Sequence, residues 1–143
     1  MAIKPGVLFL CTENSCRTQM AEAFLRELTG DEYEIVSTGA KAGRLDPDAV
    51  NAMREVGIDI SCQRPKKVDP FMRERVSYLI TLCDREIERT CPIFPGAFWR
   101  LKWPIDNPAS AKNHAEHRAI VRRIRDEIRD HVERFVQEHS KES

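Results

Sequence analysis

One spacing carries the first chemical signal in this chain. Cys11 is followed six positions later by Arg17, in the stretch CTENSCR. An apolar run, Val7-Leu8-Phe9-Leu10, ends at that cysteine, and a helical pattern begins at the arginine. A thiol held between a strand end and a helix start sits where unpaired backbone N–H groups and the helix dipole favour an anion. A loop that curls around a tetrahedral oxyanion turns several N–H groups inward. That makes Thr12, Glu13, Asn14, Ser15, Cys16, Arg17 and Thr18 the candidate binding residues. Arg17 adds a planar fork that can hold two oxygens. The same field favours the thiolate of Cys11, and Thr18 can offer it a hydrogen bond. The chemistry implied is attack by a Cys11 thiolate in an oxyanion cradle. The Cys-x5-Arg spacing alone is weak, and its place between strand and helix strengthens it.

Cys83 ends a second apolar run, SYLITLC, and Cys91 follows in CDREIERTC. Seven residues separate the two, too wide for a CxxC redox motif or a zinc knuckle. The full set is Cys11, Cys16, Cys62, Cys83 and Cys91. An odd count argues for reactive or inert thiols rather than a disulfide framework. Cys16 and Cys62 read as inert. His114 and His117 have no ligand partners near them in the sequence and read as solvent-facing helix residues, so no metal site is expected.

The elements that must position these groups alternate. Strands are expected over residues 7–10, 33–37, 77–83 and 98–105. Helices are expected over 17–28, from an Asp46-Pro47 cap to Gly57, as a short piece over 70–76, and over 111–139. The last helix carries an apolar stripe of Ile120, Val121, Ile124, Ile128, Val132, Phe135 and Val136. This order implies an α/β fold: a four-stranded parallel sheet with helices on both faces. In such sheets ligands bind at the carboxyl ends of strands, and Cys11, Cys83 and Asp106 lie at or just past such ends. The 143 residues fit a single domain, 1–143. With 23 basic and 23 acidic residues the formal charge is zero, which gives no reason to expect a nucleic-acid partner. No apolar run approaches the roughly 20 residues of a membrane span. The expectation is a cytoplasmic protein.

The stretch CTENSCRTQMAEAF resembles the phosphate-binding loop and first helix of the low-molecular-weight protein tyrosine phosphatase superfamily, and more narrowly the thioredoxin-coupled arsenate reductases. STGA, AMREVGIDIS, TLCD, CPIFPG and WPIDNPA extend the resemblance over nearly the whole chain. It implies a low-molecular-weight phosphatase-like fold and reduction of arsenate to arsenite. Cys11 would be the nucleophile, and Cys83 and Cys91 would pass the oxidation along by thiol–disulfide exchange. External thioredoxin would be the reductant, with no bound cofactor. Phosphate and sulfate would compete for the cradle.

The chain departs from the family pattern in three places. The usual acid is an aspartate directly before proline; here that residue is Asn107, and Asp106 is the expected acid. A loop position that is often glycine is Glu13, which must point away from a bound dianion. Some members hold a potassium ion beside the loop. Asn14, Glu22 and Ser37 match three of its ligands, while Lys66 falls near the fourth, so its ammonium is expected in the ion's place. Tyrosine phosphatases carry tyrosines after the Asp-Pro pair. Here the stretch is Asn107-Pro108-Ala109-Ser110, which suits a small inorganic oxyanion better. Two alternatives stay open: a phosphomonoester phosphatase, and a non-catalytic oxyanion-binding module.

Overall fold

The computed structural model describes residues 4–72, 74–82 and 96–139. Among these, four parallel strands form one sheet: β1 (Gly6–Cys11), β2 (Glu34–Gly39), β3 (Val76–Thr81) and β4 (Ala97–Lys102), in the order β2-β1-β3-β4. The helices are α1 (Arg17–Thr29), α2 (Pro47–Glu55) and α3 (His114–His139), with 3-10 turns at Asp69–Phe71 and Pro108–Ser110. No described helix is long and apolar enough to cross a membrane.

Strand periodicity divides the core. Val7, Phe9, Tyr78 and Ile80 belong to one cluster, and Leu8, Leu10 and Leu79 to another. Both faces of the inner strands are apolar because a parallel sheet is covered on both sides. The larger cluster takes Met20 and Phe24 from α1, Ala49, Ala52 and Met53 from α2, and a stripe from α3. That stripe is Val121, Ile124, Ile128, Val132 and Phe135, at the three- and four-residue steps of one helix face. The smaller cluster is closed by Val68, Phe71 and Met72, around the first 3-10 turn.

Strand β1 pairs with β2 on one side and β3 on the other. The winding therefore reverses beside β1, and the crevice for a ligand opens at its carboxyl end. Cys11 is the last residue of β1, in register with Gly39.

Local boundaries differ from the sequence expectation for identifiable reasons. Helix α3 begins at His114 rather than 111, because residues 108–110 form a 3-10 turn and the Asn113 side chain accepts the Glu116 N–H at 2.9 Å. The short helix expected over 70–76 is only the turn Asp69–Phe71, and β3 starts at Val76, whose N–H donates to the Gly96 carbonyl at 3.1 Å. Strand β4 ends at Lys102, ahead of Pro104, although the Trp103 N–H still reaches the Thr81 carbonyl at 2.8 Å. Helix α2 starts as expected: Asp46 Oδ1 accepts the Asp48 N–H at 2.9 Å, with Pro47 in the first position.

Candidate active site

The segment between β1 and α1 is bent into a cradle by its neighbours. The carbonyls of Cys11, Thr12, Glu13 and Ser15 accept the N–H groups of Ala40, Lys41, Gly43 and Asp46 at 2.8–2.9 Å. With those carbonyls drawn outward, the amide edges of the loop face in. Gly39 permits this approach. A Cβ there would lie 2.6 Å from Asn14 N and 2.7 Å from Glu13 C, inside backbone contact.

Asn14 is the keystone. Its φ of 54° is left-handed, a conformation asparagine tolerates better than most residues. It is fully buried, and its side chain donates to Thr18 Oγ1 at 2.7 Å while accepting from Gln19 Nε2 at 3.0 Å and from the Lys66 backbone N–H at 2.8 Å. Its own N–H points at Cys11 Sγ, 3.2 Å away. Thr18 Oγ1 lies 3.1 Å from the same sulfur. The two contacts fix the position of the sulfur at the floor of the loop. Arg17 is 3% exposed and donates from NH1 to the Ile105 carbonyl at 3.1 Å, which fixes one edge of its fork. Burial, then the nearby Asp46, pushes the Cys16 thiol well above its ordinary range, so it stays protonated.

The cradle floors a cavity of about 340 Å³. Cys11, Thr12, Glu13, Ser15, Cys16 and Arg17 line one side, Arg44 and Asp46 the rim, and Asn107, Pro108, Ala109 and His117 the opposite wall. Among the described residues no Phe, Tyr or Trp lines it. The Thr12 hydroxyl is buried with no partner among the described residues, as expected of a donor waiting for a ligand oxygen. Glu13 is exposed and lies along Gly43, where an added Cβ would come within 3.0 Å of the Glu13 Cβ.

Several expected residues are placed otherwise. Asp106 does not line the cavity. Its carboxylate, 68% exposed, pairs with Arg123 of α3 at 2.7 Å. Asn107 does line the cavity, but its Oδ1 is occupied by the Ala109 N–H at 3.0 Å. The Lys66 ammonium is not beside Glu22 either. It is exposed and donates to the Arg64 carbonyl at 3.0 Å, and only the Lys66 backbone N–H joins the Asn14 network. Glu22, bonded to Ser37, is neutralised by Arg26 at 2.6 Å, one helical turn on. Cys83 and Cys91 lie outside the described residues.

Sequence reasoning missed three ionisable residues of this cavity: Arg44, Asp46 and His117. Asp46 had been visible only as a helix cap, and His117 as a solvent-facing residue without partners. In the structure His117 Nδ1 is 2.6 Å from Asp48 Oδ2, and Nε2 is 3.2 Å from Asp46 Oδ2. His114 Nε2 lies 3.5 Å from Asp48 Oδ2. Donor atoms of Asp46, Asp48 and His117 fall within 4.8 Å of one another. Both ring nitrogens already face carboxylate oxygens, so this is an internally paired triad rather than an open ligand set.

Comparison with known proteins agrees with this geometry. Residues 6–143 match the family described as low molecular weight phosphotyrosine protein phosphatase. An arsenate reductase of Bacillus licheniformis is 42% identical over 135 residues, covering 94% of this chain and 96% of the relative. One from Bacillus subtilis is 40% identical over 132 residues, covering 92% and 94%. A solved arsenate reductase in the phosphate binding state superposes with a TM-score of 0.77 at 27% identity, covering 94% of this chain and 98% of that one. A thioredoxin-dependent arsenate reductase of Corynebacterium glutamicum gives a TM-score of 0.75 at 26% identity, covering 99% and 65%. With its loop, sheet order and these relatives in agreement, the chain belongs to the low molecular weight phosphotyrosine protein phosphatase family, in its arsenate reductase branch.

Proposed function

We propose that the protein reduces arsenate to arsenite with Cys11 as nucleophile, and that Cys83 and Cys91 carry the resulting oxidation to thioredoxin. The observation that carries the reading is the buried Cys11 sulfur, which accepts the Asn14 N–H and shares a hydrogen bond with Thr18, at the floor of a cavity walled by Arg17 and, among the described residues, free of large aromatics. Such a space suits a small tetrahedral oxyanion. The curated relatives of like length named above are arsenate reductases.

The chemistry balances as follows. The Cys11 thiolate forms a bond to arsenic, and a hydroxyl leaves with one proton as water; arsenic stays pentavalent. The Cys83 thiolate then attacks the Cys11 sulfur. The S–As bond breaks, its electron pair goes to arsenic, and arsenite departs trivalent. Two thiolates have become a disulfide. Cys91 attacks Cys83, freeing Cys11, and a dithiol reductant of the thioredoxin class reduces the final disulfide. Leu82, the residue before Cys83, donates its N–H to the carbonyl of Leu10, the residue before Cys11, at 2.9 Å. The chain therefore leaves β3 beside the nucleophile, which supports the first exchange. A thioredoxin-coupled cycle belongs in a reducing compartment, the cytoplasm.

Relay variants test the reading. With a thioredoxin system, Cys83→Ser should give no arsenite turnover. Cys91→Ser should stop after about one arsenite per chain, because its Cys11–Cys83 disulfide has no onward thiol. Hydrolysis of an aryl phosphate, if present at all, should survive both changes. Full multiple turnover by Cys83→Ser would contradict the relay, and thiol-independent phosphate release without arsenite would favour a phosphomonoester phosphatase.

A further inference from the structure

We propose that Asp46, supplied with a proton through His117, is the acid that protonates the oxygen leaving arsenic when Cys11 attacks; this deepens the reading above and rests on it. The step needs a donor. As the S–As bond forms and the As–O bond breaks, the departing hydroxide must take one proton to leave as water, with no change in oxidation state. Asn107 has no acidic proton, and Asp106 is turned outward onto Arg123.

The cavity offers another group. Asp46 and His117 line it together with Cys11 and Arg17, whereas Asp48 does not. A neutral imidazole has one N–H. With Nδ1 at 2.6 Å from Asp48 and Nε2 at 3.2 Å from Asp46, a neutral ring between two carboxylates would set one lone pair against an anionic oxygen. Both contacts become hydrogen bonds when the triad holds one further proton, on the ring or on Asp46. Asp48 orients the ring from behind, so that proton sits on the His117–Asp46 edge, the edge that meets the cavity. Asp46 Oδ1 is committed to the Asp48 N–H, leaving Oδ2 for this exchange. After transfer, Asp46 is a carboxylate, His117 is neutral with Nδ1–H on Asp48, and solvent restores the proton. Among the described residues, the charged and titratable groups around the triad are His114, Arg118 and Arg122 from α3, Glu55 from α2, and the Cys16 thiol, Arg17, Arg44 and Glu13 from the cradle and rim. Asp46 is thus the catalytic residue, and His117 and Asp48 are positioning residues.

The test compares the wild type with Asp46→Asn, which keeps the helix cap, since asparagine caps as well as aspartate. Single-turnover arsenite formation should fall about a hundredfold, the low end of what a general acid contributes. Inorganic phosphate, as a probe of the cradle, should bind within about twofold of wild type if only proton supply is lost. Adding Asn107→Asp to Asp46→Asn should recover at least about tenfold, because it returns a carboxyl to the cavity wall. Nitrogen-15 signals of the His117 ring should change in Asp46→Asn, as they must if the two share a proton, and a chelator should change nothing. An unchanged rate in Asp46→Asn, or a loss that Asn107→Asp does not relieve, overturns the proposal while arsenate reduction stands. Sensitivity to chelation overturns it in favour of a cation in the triad. If the wild type forms no arsenite, the functional reading falls and this proposal with it.

Discussion

The two sides of the cavity are built differently. The working residues of the Cys11–Thr18 cradle are buried and fixed by hydrogen bonds: Cys11, Asn14, Arg17 and Thr18 are at most 3% exposed, Asn14 bonds both Thr18 and Gln19, and backbone bonds from residues 40–46 hold the loop from outside. The facing wall, from Asn107 to His117, is more exposed and is tied to the rest by ion pairs from distant parts of the chain. A preorganised cradle holds its donors in place before a ligand arrives, as transition-state stabilisation requires. The wall is where a chain can change its acid, its partners and its access without disturbing the nucleophile. The departure at Asn107 falls there, with Asp106 just outside it.

Variants on the two sides should therefore behave differently. The largest effect after loss of Cys11 itself is expected from Arg17→Lys. A single ammonium cannot reproduce the two-oxygen fork or hold the Ile105 carbonyl in the same way. Arsenate reduction should fall about a hundredfold or more, as for loss of one oxyanion donor, with folding intact by circular dichroism. Near-normal steady-state kinetics would mean the cradle does not clasp its ligand through Arg17.

Gly39→Ala should come next. Its Cβ would meet the Lys41 carbonyl oxygen at 2.5 Å and Asn14 N at 2.6 Å, both backbone. Relief requires the loop or β2 to shift, at about 1–3 kcal/mol of stability. Denaturant unfolding and phosphate binding should both weaken. Wild-type affinity would show that the close approach is not what shapes the cradle.

The smallest effect is expected just outside the wall. Asp106→Asn removes an exposed pair with Arg123, and such pairs are worth at most about 1 kcal/mol. Activity should stay within about twofold of wild type, as it would for any solvated surface charge far from the reacting atoms. A large loss in kcat with unchanged stability would mean that Asp106 swings into the cavity during turnover.

The same contrast explains what the sequence made legible. The cradle is one continuous stretch, so its strand, loop and helix start could be read from residues 7–28, as could the parallel sheet and the buried stripe of α3. The wall depends on which side chains meet across the fold. Asp48 and His117 are 69 positions apart, and nothing in either neighbourhood announces the other. Asp106 is the expected acid because it is the carboxyl one residue before Asn107, which holds the family's acid position, but its side chain answers to Arg123, 17 residues on in α3. The Lys66 ammonium, expected in the ion's place, instead bonds the Arg64 carbonyl; only the Lys66 backbone N–H reaches Asn14, and Arg26 supplies the positive charge to Glu22. Local pattern fixes the path of the backbone here, whereas competition among long charged side chains is settled only in three dimensions.

The most direct test of the central claim is a single-turnover experiment. Fully reduced protein is mixed with arsenate without any reductant, arsenite is quantified, and the disulfide is mapped by mass spectrometry. The account predicts about one arsenite per chain and a Cys83–Cys91 disulfide, with none formed by Cys11→Ser. Arsenite release from Cys11→Ser, or no arsenite from a wild type that still hydrolyses an aryl phosphate, would contradict it.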